Sequence, residues 1–201
     1  MVFLPQFLTL PWGKTINFFF YPNLVLSHIR FWSLFFIVWF SDLITKSWAV
    51  ENSAELRNFP LVVLDLIDGN KAFLEFTYIT NPGAAWSMLS EFPQFLTGLA
   101  IIALISIYLF RHKLELHKRN IQIAFGLISG GIAGNLTDRI FRQPAEVVDF
   151  IDIFIPILNY DYPVFNIADS GIFLGAICYM IIGFRESKNE TFREHDITLS
   201  D

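Results

Sequence analysis

The chain has 201 residues, of which 54% are hydrophobic and 16% charged, and its mean hydropathy is +0.49. Average soluble proteins carry about 25% charged residues, so this composition indicates a membrane protein. The net charge of −5 gives no reason to expect a nucleic-acid partner. Its one cysteine, Cys178, cannot form an internal disulfide, and the four histidines have no metal-ligand spacing, so we expect neither metal nor cofactor.

Residues 1–30 are apolar but interrupted by Pro5, Pro11 and Pro22. They lack the basic start and small-residue cleavage site that are typical of a signal peptide. We therefore interpret this stretch as a leader that is interfacial or poorly ordered.

Four segments are apolar and near the length of about 20 residues that a helix needs to cross a bilayer. These segments are about 31–50, 92–110, 121–138 and 165–184. In a four-span topology, the regions on one side hold nine of the fourteen Lys and Arg. Short basic loops stay cytoplasmic, which predicts that both termini, including a tail at 185–201, are cytoplasmic.

Segment 31–50 carries Asp42 and Lys46, which are four residues apart and share one helix face. One interpretation is a self-paired Asp and Lys that extend toward the outer surface. The other is a functional site, because ionisable residues inside a membrane are costly and usually functional.

The sequence pattern of residues 55–90 predicts a small β region on the outer surface. Alternation after Asp68-Gly69 indicates a β-hairpin with a DG turn. The next uncharged segment, 92–110, is interpreted as structural.

Segment 121–138 has Gly126, Gly130 and Gly134 four residues apart, a spacing that allows membrane helices to approach closely. At its outer end, Asp138 is either an interfacial cap paired with Arg139 or part of a site.

The outer loop 139–164 contains a periodic run of Val, Phe and Ile between Val147 and Ile155. This run predicts a short amphipathic helix on the membrane surface, with Asp149 and Asp152 on one face.

The topology places nearly all informative polar side chains at one membrane level, toward the outside. They are Asp42, Lys46, Asn81, Asn135, Asp138, Arg139, Asp149, Asn166 and Asp169. Such convergence predicts a site.

Carboxylates are the main chemical resource at this level. Cys178 lies deeper, no histidine reaches the outer side, and no GxSxG motif is present. A Ser-Lys pair of Lys46 with Ser41 or Ser47 stays open. Two Asp that share a proton could activate water and polarise a carbonyl, which is aspartic peptide hydrolysis.

Five stretches resemble the bacterial lipoprotein signal peptidases, also called signal peptidase II. In order they are "SDLITK" (41–46), "NPGAAWS" (81–87), "GGIAGNLTDR" (130–139), "VVDF" (147–150) and "FNIAD" (165–169). The resemblance implies a mainly α membrane peptidase domain over 31–184, with four transmembrane helices, the small outer β-sheet and the short surface helix.

The same resemblance implies that Asp149 and Asp169 are the catalytic pair. The residues that it implies for site support and substrate binding are Asp42, Lys46, Asn81, Gly83, Asn135, Asp138, Arg139 and Asn166. The chain departs from the usual pattern at Trp86 and Ala145, and the segment before Asp149 is slightly longer than usual.

The implied substrate is a diacylglyceryl-modified prolipoprotein, cut before its lipidated cysteine. The implied location is the bacterial cytoplasmic membrane, with the active site near the outer leaflet and membrane lipids as partners. We expect a monomer that needs no cofactor.

Two other functions fit parts of the sequence. A proton-coupled carrier could use Asp42, Asp138 and Asp169 as a relay, but the sequence shows no internal repeat. A presenilin-like protease is disfavoured because the YD in "NYDYP" has no GxGD partner.

Overall fold

The computed structural model describes residues 7–9, 15–17, 28–65, 71–83 and 88–198. The helices are α1 (Ile29–Glu51), α2 (Ser53–Asn58), α3 (Pro93–Leu109), α4 (Arg119–Phe141) and α5 (Ile167–Thr198). The strands are β1 (Phe7–Thr9), β2 (Thr15–Asn17), β3 (Leu61–Leu64), β4 (Leu74–Asn81), β5 (Val147–Ile155) and β6 (Tyr160–Phe165). A 3₁₀ turn, Pro156–Leu158, joins the last two strands.

The four long helices coincide with the four predicted apolar segments. Only α5 is much longer than predicted, because it continues to Thr198 through most of the expected tail. In the predicted leader, β1 and β2 pair antiparallel. The rest of the leader up to residue 27 lies outside the described residues.

Two helical stretches in the described part of the chain are long and apolar enough to cross a membrane by length and composition. They are Ile29–Glu51 and Ile167–Glu186. Helix α3 is apolar but shorter, at 17 residues. The remaining long helix, α4, carries Asn, Asp and Arg near its end.

Helix α4 is the central helix, because it packs against α1, α3 and α5. Its glycines permit this packing. A Cβ at Gly130 would lie 2.7 Å from the Phe35 carbonyl oxygen, and one at Gly134 would lie 2.5 Å from Asp42 Oδ2. The close approach predicted from the glycine spacing is confirmed.

The outer β region is larger than the predicted hairpin. Strands β3 and β4 pair antiparallel, with Leu61 opposite Phe76, which confirms the hairpin pairing. The predicted turn at 68–70 lies outside the described residues. Strands β5 and β6 extend the sheet in the order β3-β4-β5-β6.

The prediction of an amphipathic surface helix was wrong, because Val147–Ile155 forms strand β5. Its β-branched and aromatic residues favour a strand, and β5 gains pairing partners on both sides. A short apolar run has too little periodicity to distinguish the two structures. Asp149 and Asp152 consequently point to opposite faces of the sheet instead of sharing one.

An aromatic cluster attaches the sheet to the end of α1. The ring centroids of Trp48 and Phe76 lie 5.7 Å apart, and those of Phe76 and Phe150 lie 5.9 Å apart. Phe150 is 2% exposed, and Leu56 of α2 is buried in the same cluster. This packing fixes β5, and with it Asp149, beside the helix ends.

Candidate active site

A cavity of about 750 Å³ lies where α3 and α5 begin and α4 ends, and β4, β5 and β6 close it on the sheet side. Six of the predicted site residues line it, namely Asn81, Gly83, Asn135, Arg139, Asp149 and Asp169. The other four, Asp42, Lys46, Asp138 and Asn166, are buried next to it. The structure thus brings together all ten predicted residues.

Asn166 joins the two candidate catalytic carboxyls. Its Nδ2 donates to Asp149 Oδ1 at 2.6 Å, and its Oδ1 accepts the Asp169 backbone N–H at 2.9 Å. The backbone N–H of Asn166 donates to Asp169 Oδ2 at 3.3 Å. Because the backbone N–H of Asp169 can only donate, the side-chain amide of Asn166 must turn its oxygen toward it, and this fixes the orientation of the amide.

Asn135 holds Asp169 from α4. Its Nδ2 donates to Asp169 Oδ1 at 2.7 Å, while its Oδ1 accepts from Asn166 Nδ2 at 3.1 Å. Both carboxylate oxygens of Asp169 therefore have an N–H donor within the protein.

Asp149 is 2% exposed and lies on the face of β5 that closes the cavity. Burial, followed by repulsion from the carboxylate of Asp169, raises its pKa from 3.8 to about 7. Donation by Asn81 Nδ2 at 3.3 Å opposes this rise only in part. A carboxyl with such a pKa can hold a proton near neutral pH.

Arg139 is the one cation among the described residues that line the cavity. Its guanidinium donates to the Gly83 carbonyl at 2.8 Å and, at 3.4 Å, to the carbonyl of Asn135. Gly83 is itself positioned by Asn81, whose Oδ1 accepts the Gly83 backbone N–H at 2.9 Å. Arg139 thereby ties the segment after β4 to α4.

Behind the cavity, Lys46 forms ion pairs with Asp42 at 2.7 Å and with Asp138 at 2.9 Å. The predicted pairing of Asp42 with Lys46 is confirmed, but Lys46 is fully buried and does not extend toward the surface. Asp138 pairs with Arg142 at 2.5 Å, not with Arg139 as one interpretation held.

The open Ser-Lys alternative fails on geometry. Lys46 also donates to Asn135 Oδ1 at 2.9 Å, so its ammonium is held charged between two carboxylates and an amide oxygen. Ser47 is exposed on α1 and faces away from this buried group. Lys46 cannot serve as a base for a serine in this arrangement.

Two main-chain contacts complete the site and were not predicted from the sequence. The backbone N–H of Ala168 donates to Asp42 Oδ1 at 2.8 Å, and that of Val148 donates to Asp138 Oδ2 at 3.2 Å. Residue types give no signal for such contacts, because every residue except proline has the same N–H.

Tyr162 of β6 also lines the cavity and was missed. The aromatic residues that alternate in Tyr160–Phe165 are a strand signal that could have identified β6. Much of the remaining cavity wall is apolar and comes from α3 and α5. Among the described residues, no three His, Cys, Asp or Glu form a group that could hold a metal ion.

The arrangement matches a known family. The family model described as signal peptidase (SPase) II matches residues 34–185. A lipoprotein signal peptidase of Nostoc punctiforme is 36% identical over 171 residues, which cover 84% of this chain and 98% of that protein. One from Shewanella sp. (strain MR-4) is 33% identical over 179 residues, covering 85% and 95%.

Two solved structures share the fold, and both are described as bacterial membrane enzymes solved by the in meso method. The first has a TM-score of 0.65 and 32% identity, and the match covers 85% of this chain and 92% of the other. The second has a TM-score of 0.57 and 32% identity, with coverages of 81% and 93%. The chain belongs to the signal peptidase II family of membrane peptidases.

Proposed function

We propose that the protein is an aspartic endopeptidase that removes signal peptides from diacylglyceryl-modified prolipoproteins, cutting before the lipidated cysteine. The observation that carries the proposal is the bridging of Asp149 and Asp169 by Asn166 at the wall of one cavity. The names of the relatives, all lipoprotein signal peptidases, support the substrate class.

The charges of the cavity fit a pair of Asp that shares one proton. Among the described residues that line the cavity, two ionised carboxylates beside the one cation Arg139 would leave a net negative charge. One proton on the pair makes the cavity neutral. That proton resides on Asp149, because burial and Asp169 raise its pKa to about 7.

These assignments give each carboxyl a role. Asp169 takes a proton from a water molecule, and that water attacks the scissile carbonyl carbon. Asp149 donates its proton toward the carbonyl oxygen as negative charge develops there. As the C–N bond of the tetrahedral intermediate breaks, the proton on Asp169 passes to the leaving amine. Asp149 takes a proton back from a hydroxyl of the intermediate, which restores the singly protonated pair.

Four membrane spans accommodate this site. Helix α4 has too many polar residues to face lipid, but Asp138 and Gln122 are buried among its neighbours. Helix α3 exposes large apolar side chains such as Leu99 and Ile102, as a helix surrounded by lipid would. The basic residues at the opposite helix ends put both termini in the cytoplasm and the site near the outer leaflet.

The apolar wall of the cavity suits a lipidated substrate. Leu96, Leu99 and Ala103 of α3 face Ile172 and Phe173 of α5 across it. Acyl chains of the substrate would lie against this wall, with the peptide bond held next to the two carboxyls. We propose that the enzyme works as a monomer.

Cleavage of a diacylglyceryl-modified precursor by the purified protein in lipid tests the proposal. Asp149→Asn and Asp169→Asn should each abolish cleavage while the protein still accumulates in the membrane. Asp152→Asn is the matched control, because Asp152 lies on the same strand but pairs with Lys71 on the opposite face.

Wild-type cleavage should remain in the Asp152→Asn variant. Normal cleavage by either the Asp149 or the Asp169 variant would overturn the aspartic mechanism. A wild-type protein that leaves the lipidated precursor intact would overturn the substrate assignment.

A further inference from the structure

The side chain of Lys46 does not line the cavity, yet it is fully buried, and its ammonium contacts Asp42, Asp138 and Asn135 at distances of 2.7 to 2.9 Å. The cluster is electrically balanced, since Lys46 and Arg142 face the carboxylates of Asp42 and Asp138. Burying such charges is costly, and apolar residues of similar size often serve a fold equally well. Packing alone therefore does not explain why Lys46 is charged at this position.

The first contact connects Lys46 to Asp169. Asp42 Oδ2 forms an ion pair with Lys46 at 2.7 Å, while Asp42 Oδ1 accepts the backbone N–H of Ala168 at 2.8 Å. Ala168 directly precedes Asp169 in the first turn of α5, where backbone N–H groups lack partners within the helix. Asp42 thus fixes the start of the helix that carries Asp169.

The second contact connects Lys46 to Asp149 in the same way. Asp138 Oδ2 accepts from Lys46 at 2.9 Å and also from the backbone N–H of Val148 at 3.2 Å. Val148 directly precedes Asp149 on β5. Asp138 thus fixes the strand that carries Asp149.

The third contact determines an amide orientation. Asn135 Oδ1 accepts from Lys46 at 2.9 Å, and this contact turns Nδ2 toward Asp169, at 2.7 Å. Rotation of the amide would place its NH₂ against an ammonium and its oxygen against a carboxylate. Since an ammonium only donates, Lys46 permits one orientation.

We propose that Lys46 is a positioning residue that sets the placement of Asp149 and Asp169 relative to each other. It does so through Asp42, Asp138 and Asn135, each of which contacts a segment or side chain of the pair. The kinetic consequences rest on the proposed function, whereas the geometry of the amides does not.

Lys46→Met removes the ammonium but keeps a side chain of similar length. We expect kcat to fall by about tenfold to a hundredfold, because small misplacements of catalytic groups have effects of this size. The KM should stay within about twofold, since Lys46 does not line the cavity. Arg142→Met is the matched control, because it removes the other cation beside Asp138 and leaves all three contacts of Lys46.

A charge-balanced variant guards against a simple failure to fold. Lys46→Met combined with Asp42→Asn leaves the Asp138–Arg142 pair neutral, and the Asn oxygen can still accept from Ala168. This double variant should accumulate and should also show the lower kcat. Wild-type kcat in either Lys46 variant, or the failure of both to accumulate, would overturn a positioning role.

A spectroscopic readout separates this inference from the proposed function. In ¹⁵N-asparagine-labelled protein in detergent micelles, the side-chain NH₂ signals of Asn135 and Asn166 should move in the Lys46 variants and remain in place in Arg142→Met. This result would support positioning even if no precursor were cleaved. Unmoved signals in the Lys46 variants would contradict it even in an active enzyme.

Discussion

Asp149 and Asp152 are three residues apart on β5 and lie on opposite faces of the sheet. Asp149 is buried beside the cavity, whereas Asp152 forms an ion pair with Lys71 at 3.5 Å. Two carboxyls of one strand therefore have different surroundings, and the buried Asp149 is suited to hold a proton near neutral pH.

This difference predicts a pH dependence. Burial and the neighbouring Asp169 raise the pKa of Asp149 to about 7, so Asp149 carries its proton below that pH and loses it above. We expect kcat/KM to fall as the pH rises through about 7, because the free enzyme loses the proton of its proposed acid. The rate of precursor cleavage, measured across a series of buffers, gives this alkaline limb.

Asn81→Ala extends the same test. Asn81 donates to Asp149 and favours its ionised form, so removal of this donor should raise the pKa of Asp149. The alkaline limb should then move to higher pH, while Asp152→Asn should leave it unchanged. A limb that moves to lower pH in Asn81→Ala would show that another group controls it.

Gly134→Ala is predicted to destabilise the helix bundle. The new Cβ on α4 would lie 2.5 Å from Asp42 Oδ2 and 3.0 Å from the Ala168 Cβ, so the Asp42 side chain must shift and α5 must move away from α4. Overpacking of this kind costs about 1–3 kcal/mol. Thermal unfolding in detergent should show a lower midpoint, and cleavage should decrease because Asp42 is displaced.

Gly98→Ala is the control for this variant. Gly98 lies in α3 and has no atom within 4 Å of the position of its added Cβ. Since Ala favours a helix over Gly, its midpoint should be equal to or above that of the wild type. Equal losses in the two variants would mean that helix propensity, and not the approach of Asp42, determines the effect.

Ala103→Phe is predicted to impair use of a lipidated substrate. Ala103 lines the cavity, so a large ring there would occupy space that the acyl chains need. We expect kcat/KM for the lipidated precursor to fall by about tenfold or more. Ile102→Phe places the same ring on the preceding residue of α3, which is 61% exposed, and it should leave cleavage near the wild-type rate.

Long apolar segments predicted the four long helices. Polar side chains are rare in such segments, so Asp42, Lys46 and Asp169 were conspicuous where they occur. The roles of Asp149 and Gly83 came from the resemblance to the signal peptidase II family. The hairpin was predicted by its alternation and turn residues. The pairing partner of Asp138 was assigned less well, because Arg139 and Arg142 both lie nearby and only Arg142, one helical turn on, shares its face.

The features that the sequence did not predict depend on long-range contacts. Strand β5 has the composition of a strand, but its apolar run also fits a helix until β4 and β6 pair with it. The main-chain contacts of Asp42 and Asp138 involve backbone N–H groups of Ala168 and Val148, which have no residue-specific signal. These contacts join segments up to 126 positions apart.

The central position of α4 has a consequence for biogenesis. In the proposed four-span arrangement, this helix follows α1 and α3 in synthesis but precedes α5, which covers its Gly131 and Gly134 face. Until α5 is inserted, the polar end of α4 has no complete protein enclosure and is poorly suited to lipid. The proposed hydrolytic centre therefore forms only after the last span has left the ribosome, and we expect a truncated nascent chain to be inactive.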